Sequence, residues 1–86
     1  MRDFFVRFLT RPGCHLCEDA RPLVDRAARF AGARVETVDI TSDPETAVRW
    51  DLRIPVVLDP AGRVLAEGRI EMGGLVWRML RARFGH

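Results

Sequence analysis

Apolar side chains change their period along this chain, and each change marks an element. Phe4-Phe5-Val6-Arg7-Phe8-Leu9-Thr10 is a nearly continuous run of aromatic and branched residues. It predicts a largely buried strand that stops at the breakers Pro12 and Gly13. From Cys14 onward Leu16, Ala20, Leu23, Val24, Ala27 and Ala31 form one stripe of an α-helix ending at Gly32. Pro22 lies inside that helix and is expected to kink it. Val35, Val38 and Ile40 mark a second strand over 35–40. Strand, helix and strand in this order make a βαβ unit with parallel strands.

Asp43-Pro44 reads as an N-cap followed by proline at the first helical position, opening a short helix to about Asp51. Ile54-Pro55 leads into a third strand, Val56-Val57-Leu58. Asp59-Pro60-Ala61-Gly62 is a turn into a fourth, Val64-Leu65-Ala66, close enough for an antiparallel hairpin. Met72, Leu75, Val76, Met79 and Leu80 then repeat at helical spacing, with Arg78, Arg81 and Arg83 placed to meet that helix's C-terminal dipole. Trp50 and Trp77 are expected to pack, and the arginines of the last helix to form a solvated face.

At 86 residues the chain has room for one core, so residues 1–86 are read as a single domain. A hydrophobic share of 48% with 30% charged residues suits a soluble globule and excludes a disordered chain. No segment approaches the ~20 apolar residues of a membrane span. The apolar run near the start is cut by Arg7 and followed by no small-residue cleavage pattern, so it reads as strand rather than signal peptide. A cytoplasmic location is the resulting expectation. The formal charge of +2, from 14 basic and 12 acidic residues, gives no strong pull toward nucleic acid or anionic membranes. All the basic residues are arginine.

The 2 cysteines are too few to staple a secreted mini-protein, and their closeness in Cys14-His15-Leu16-Cys17 points to chemistry. A thiol at a helix N-terminus faces unpaired backbone N–H groups and the positive end of the helix dipole, which favour the thiolate. Cys14 sits there, and Cys17, one turn on, is near enough to attack a mixed disulfide. Cys14 is thus the candidate nucleophile and Cys17 the resolving thiol. A zinc site within the chain needs further Cys or His ligands, and His15 and His86 alone remain. No metal is therefore expected, and inert thiols are the remaining bland alternative.

With Arg11-Pro12-Gly13-Cys14-His15-Leu16-Cys17, Pro22 eight residues after Cys14, and Ile54-Pro55 before a hairpin, the whole chain resembles the glutaredoxin-like branch of the thioredoxin superfamily. That resemblance implies a thioredoxin-like α/β fold, βαβαββα, with a four-stranded mixed sheet and helices on both faces. It implies a thiol–disulfide oxidoreductase that reduces or exchanges protein or low-molecular-weight disulfides. It also makes Pro55 a cis-proline opposite the disulfide, Ile54 the backbone presented to substrate, Gly68 a substrate-binding glycine, and Arg11 a cation able to attract a glutathione carboxylate. There are departures from the family pattern. Gly13 and Phe8 stand where thioredoxins place Trp and a buried Asp, and His15-Leu16 replaces the Pro-Tyr of dithiol glutaredoxins. Arg69 and Ile70 follow Gly68 where those proteins hold the γ-glutamyl end of glutathione.

A cationic His15 beside Cys14 favours the thiolate and moves the couple to the oxidising side, with a potential of about −270 to −200 mV expected. No cofactor is required. Glutathione and a protein reductase both stand as electron donors, and a monomer is expected. Two alternatives remain open: a non-catalytic scaffold sharing an iron–sulfur cluster through Cys14, and a fold relative that only binds a partner.

Overall fold

A computed structural model of the chain describes residues 4–85, so the readings that rest on residues 1–3 and on His86 lie outside the described residues. The elements are β1 (Phe4–Thr10), α1 (His15–Ala31), β2 (Ala33–Asp39), α2 (Pro44–Trp50), β3 (Val56–Leu58), β4 (Val64–Glu67) and α3 (Met72–Phe84). A 3-10 turn, Ile40–Ser42, follows β2.

The sheet has 4 strands in the order β2-β1-β3-β4. Strand β1 runs parallel to β2, with Phe4 opposite Ala33 and Thr10 opposite Asp39. It runs antiparallel to β3, with Leu9 opposite Val56 and Arg7 opposite Leu58. Strand β4 returns antiparallel beside β3. Val6 and Phe8 are buried on one pleat face of β1 and Leu9 on the other, which requires cover on both faces. Helices α1 and α3 pack against each other on one side. Ala20, Ala27, Ala28 and Ala31 are all buried, and such small side chains let α1 approach its neighbours closely. Leu75 and Met79 of α3 complete this core at 0% exposure.

Local chemistry sets the element ends. Gly32 takes φ 69° and donates its N–H to the carbonyls of Ala28 and Arg29, closing α1 in a left-handed cap. The Asp43 carboxylate accepts from Thr46 N, with Pro44 in the first turn of α2. The buried Asp59 carboxylate accepts from Ala61 N at 2.8 Å and Arg63 N at 2.9 Å, which satisfies it inside the β3–β4 turn.

Several details depart from expectation. Strand β2 stops at Asp39 because that carboxylate accepts from both N and Oγ1 of Thr41, at 2.9 and 2.6 Å, and turns the chain into the 3-10 segment. These same bonds hold the Asp39 carboxyl below its ordinary pKa. Strand β4 extends to Glu67. Helix α1 runs from His15 to Ala31 with Pro22 inside it, as the apolar stripe predicts. Leu16, counted in the apolar stripe, is exposed, whereas Cys17 beside it in the same turn of α1 is buried. Trp50 packs as expected, whereas Trp77 is 62% exposed on the outer face of α3.

Arg83 also departs from the reading that tied it to its own helix end. Its guanidinium crosses to α1 and donates to the carbonyls of Ala31 and Gly32, each at 2.7 Å. A cation at a helix C-terminus is favoured both by these unpaired carbonyls and by the dipole. Replacing Arg83 with Ala is expected to cost about 1–2 kcal/mol of unfolding free energy. The measurement is a urea titration, in which the midpoint should fall at unchanged slope.

Candidate active site at the start of helix α1

Strand β1 ends at Thr10, and residues 11–13 turn the chain toward α1. Gly13 holds φ +79° with nothing within 4 Å of a would-be Cβ, so the left-handed backbone, not lack of space, is what requires glycine there. Cys14 is the N-cap of α1, in extended conformation, and its Sγ accepts the N–H of Cys17 at 3.2 Å. Its carbonyl accepts the N–H of Glu18 at 3.0 Å. The cysteine sulfur thus fills the place that a Ser or Asp oxygen takes in an ordinary cap.

Cys14 is half-buried, whereas Cys17 is 2% exposed and packed in the core. Their Cα atoms are 5.2 Å apart, inside the range that a disulfide spans, and their sulfurs lie within bonding reach. One sulfur therefore meets solvent and the other backs it from inside.

The two side chains expected to support Cys14, Arg11 and His15, are placed differently from each other. His15 opens α1 with its side chain 95% exposed, its Nδ1 3.8 Å from a Glu18 carboxylate oxygen. Arg11 forms an ion pair with Asp51 at the end of α2, so its charge is already offset by a carboxylate. That pair ties the cysteine loop to the segment leading into β3. The neighbouring Leu52 is 97% exposed, and Leu16 is 48% exposed.

The Ile54-Pro55 peptide bond is cis. Because Leu9 lies opposite Val56, Pro55 sits at the same end of the sheet as Thr10 and the cysteine loop, one strand over. Gly68, at φ 69°, donates its N–H to the Pro55 carbonyl at 2.9 Å. Ile54 N donates to Trp50 O at 3.0 Å. The structure therefore gathers Arg11, Cys14, His15, Cys17, Ile54, Pro55 and Gly68 at one end of the sheet.

A brace behind the cis-proline was not legible in the sequence. Arg53 makes two parallel hydrogen bonds to Glu67, both at 2.9 Å. Its guanidinium also lies 4.5 Å from the centroid of the Trp50 ring. The fork-to-fork geometry fixes both partners more firmly than a single contact does. It holds the Glu67 carboxyl below its ordinary pKa and raises that of Arg53. The partners are 14 residues apart, one in the loop between α2 and β3 and the other in β4, so no spacing rule connects them.

The family model of the Glutaredoxin-like domain (DUF836) matches residues 5–72, which takes in both cysteines, Pro55 and Gly68. The chain belongs to the glutaredoxin-like domain family. Among solved structures it is similar to the structural-genomics target protein XcR50 from X. campestris, at 26% identity over 84% of this chain and 91% of that one, with a TM-score of 0.72. A malarial protein shares the fold at 14% identity, covering 94% of this chain and 98% of its own, with a TM-score of 0.66. No curated protein matches the chain. This glutaredoxin-like domain thus has the expected thioredoxin-like α/β architecture: a mixed four-stranded sheet with helices on both faces.

The lowered Glu67 pKa sets a pH dependence. A carboxyl with a depressed folded-state pKa contributes stability that is complete above the unfolded pKa and is lost as pH falls through the folded one. Urea titrations of the parent and of Glu67→Gln across the acid range are expected to differ most at neutral pH and to converge on acidification. A difference independent of pH would remove the Arg53–Glu67 pair from the stability of this segment.

Proposed function

We propose that this glutaredoxin-like domain is a thiol–disulfide oxidoreductase. The observation that carries the reading is the unequal setting of the two sulfurs: Cys14 half-buried at a helix N-cap on the Cys17 N–H, and Cys17 buried within bonding reach. The backbone N–H and the helix dipole favour the thiolate of Cys14, the form that attacks a disulfide. That attack forms a bond between Cys14 Sγ and one substrate sulfur as the substrate S–S bond breaks, and the second substrate sulfur leaves as a thiolate that takes up a proton. Cys17, once deprotonated, attacks Cys14 Sγ and releases the first substrate sulfur. Two electrons pass to the substrate, and the Cys14–Cys17 disulfide remains for glutathione or a protein reductase to reduce.

His15 and Arg11 act on the Cys14 charge from outside, with Arg11 weakened by its pairing to Asp51. The Ile54 N–H is taken by Trp50, and the Ile54 carbonyl has no hydrogen-bond donor among the described residues. That carbonyl is the group left to accept an N–H from an extended substrate chain, with Pro55 and Gly68 forming the platform around it. Substrates in this reading are disulfide-bearing proteins or small disulfides, and the domain acts as a cytoplasmic monomer without a cofactor. Among the described residues no helix is long and apolar enough to cross a membrane.

Cys14→Ser is expected to reduce disulfide reductase activity to background. Cys17→Ser should still attack but accumulate a mixed disulfide, one substrate per chain, visible by mass spectrometry. Alkylation of Cys14 against pH should have its midpoint below the ~8.5 of a free thiol. His15→Ala should lower the potential by only about 5–20 mV, since an exposed charge is largely screened. A Cys14 midpoint at or above the free-thiol value, with no turnover, would defeat the reading.

A further inference from the structure

At the end of the sheet away from Cys14, the β3–β4 turn and the last turns of α3 enclose a groove of about 510 Å³. Its position follows from the register: Val56 pairs near the end of β1 and Leu58 pairs back toward its start, so the turn after Leu58 lies at the far end. The volume is in the range that small-molecule sites occupy, roughly 300–1,000 Å³. Leu65 and Ala82 supply apolar surface in it.

Three arginines line this groove. Arg63 comes from the turn, and Arg78 and Arg81, one helical turn apart, share a side of α3. Arg78 donates to the Leu65 carbonyl at 3.4 Å, which lays its guanidinium along the outer edge of β4. Among the described residues none of the three forms an ion pair with a carboxylate. Most other arginines of this chain do something specific: Arg7, Arg11, Arg21, Arg34 and Arg53 pair with acids, and Arg83 caps α1. Asp59 is the acid that lines the groove, and its Oδ1 already accepts two backbone N–H groups while the residue is 7% exposed.

We propose that this groove binds an anion carrying two or more phosphoryl groups in succession. A guanidinium presents a planar fork of donors that matches phosphate oxygens in pairs. Forks arriving from two separate elements offer more donors than one phosphate or carboxylate can use, and they suit a ligand with charge on adjacent centres. A nucleic-acid backbone is a poorer fit, because the chain's formal charge is +2 and the arginines are concentrated in one concavity rather than along a stripe. The site contains neither cysteine, so it stands independently of the redox reading.

The test is a titration of the full chain with sodium pyrophosphate, and separately with inorganic phosphate, at constant ionic strength, followed by amide chemical shifts. Saturable shifts are expected at residues 63–65 and 78–85, with pyrophosphate binding at least about tenfold tighter than phosphate. Arg81→Ala and Arg63→Ala should each weaken pyrophosphate binding by about tenfold, the loss of one charge-assisted contact of about 1.4 kcal/mol. Both side chains are exposed, and unchanged urea midpoints confirm that the variants fold. Non-saturating shifts, equal affinity for the two anions, or undiminished affinity in both variants would overturn the proposal.

Discussion

Strand β1 is bonded along both edges, parallel to β2 and antiparallel to β3, and this double pairing decides what meets at the end of the sheet. The parallel partner requires a crossover, which α1 supplies, so the helix must begin just beyond the C-terminal end of β1. The antiparallel partner must begin where β1 ends, so the cis Ile54-Pro55 bond arrives at the same place. Burial secures the strand. Val6 and Phe8 are at most 1% exposed, and fully burying such side chains stabilises by roughly 1.5–3 kcal/mol each.

The resulting site places its charge control in the backbone more than in side chains. Cys14 receives an N–H from Cys17 and stands at the positive end of a helix 17 residues long. Of the two side chains nearby, Arg11 is paired with Asp51 and His15 is exposed to solvent. Backbone groups hold their orientation without losing side-chain rotamer freedom, whereas an exposed charge is screened. The cis-proline segment is braced by Arg53, Glu67 and Trp50, and Leu16 and Leu52 are exposed.

Arginine supplies every basic side chain, and the structure puts the guanidinium to separate uses. Arg83 joins α3 to the end of α1, Arg53 clasps Glu67, and Arg11 ties the cysteine loop to the end of α2. The Arg53 contact uses a planar donor fork that an ammonium lacks, while Arg83 donates to both carbonyls from one nitrogen. Arg63, Arg78 and Arg81 line the groove at the end of the sheet away from the cysteines.

By itself the sequence determined the order of elements, the caps at Asp43 and Gly32, and the helix-start position of Cys14, because periodicity and capping report backbone geometry over a few neighbouring residues. It also carried the cysteine pair and Pro55 as candidates, through spacing and family resemblance. Tertiary structure alone decided that Arg11 meets Asp51, 40 residues away, and that Arg83 serves a helix other than its own. It likewise separated Trp50, buried, from Trp77, exposed, and left Leu16 in solvent. Such outcomes depend on where two distant segments lie after the sheet has assembled, and no local pattern encodes that distance.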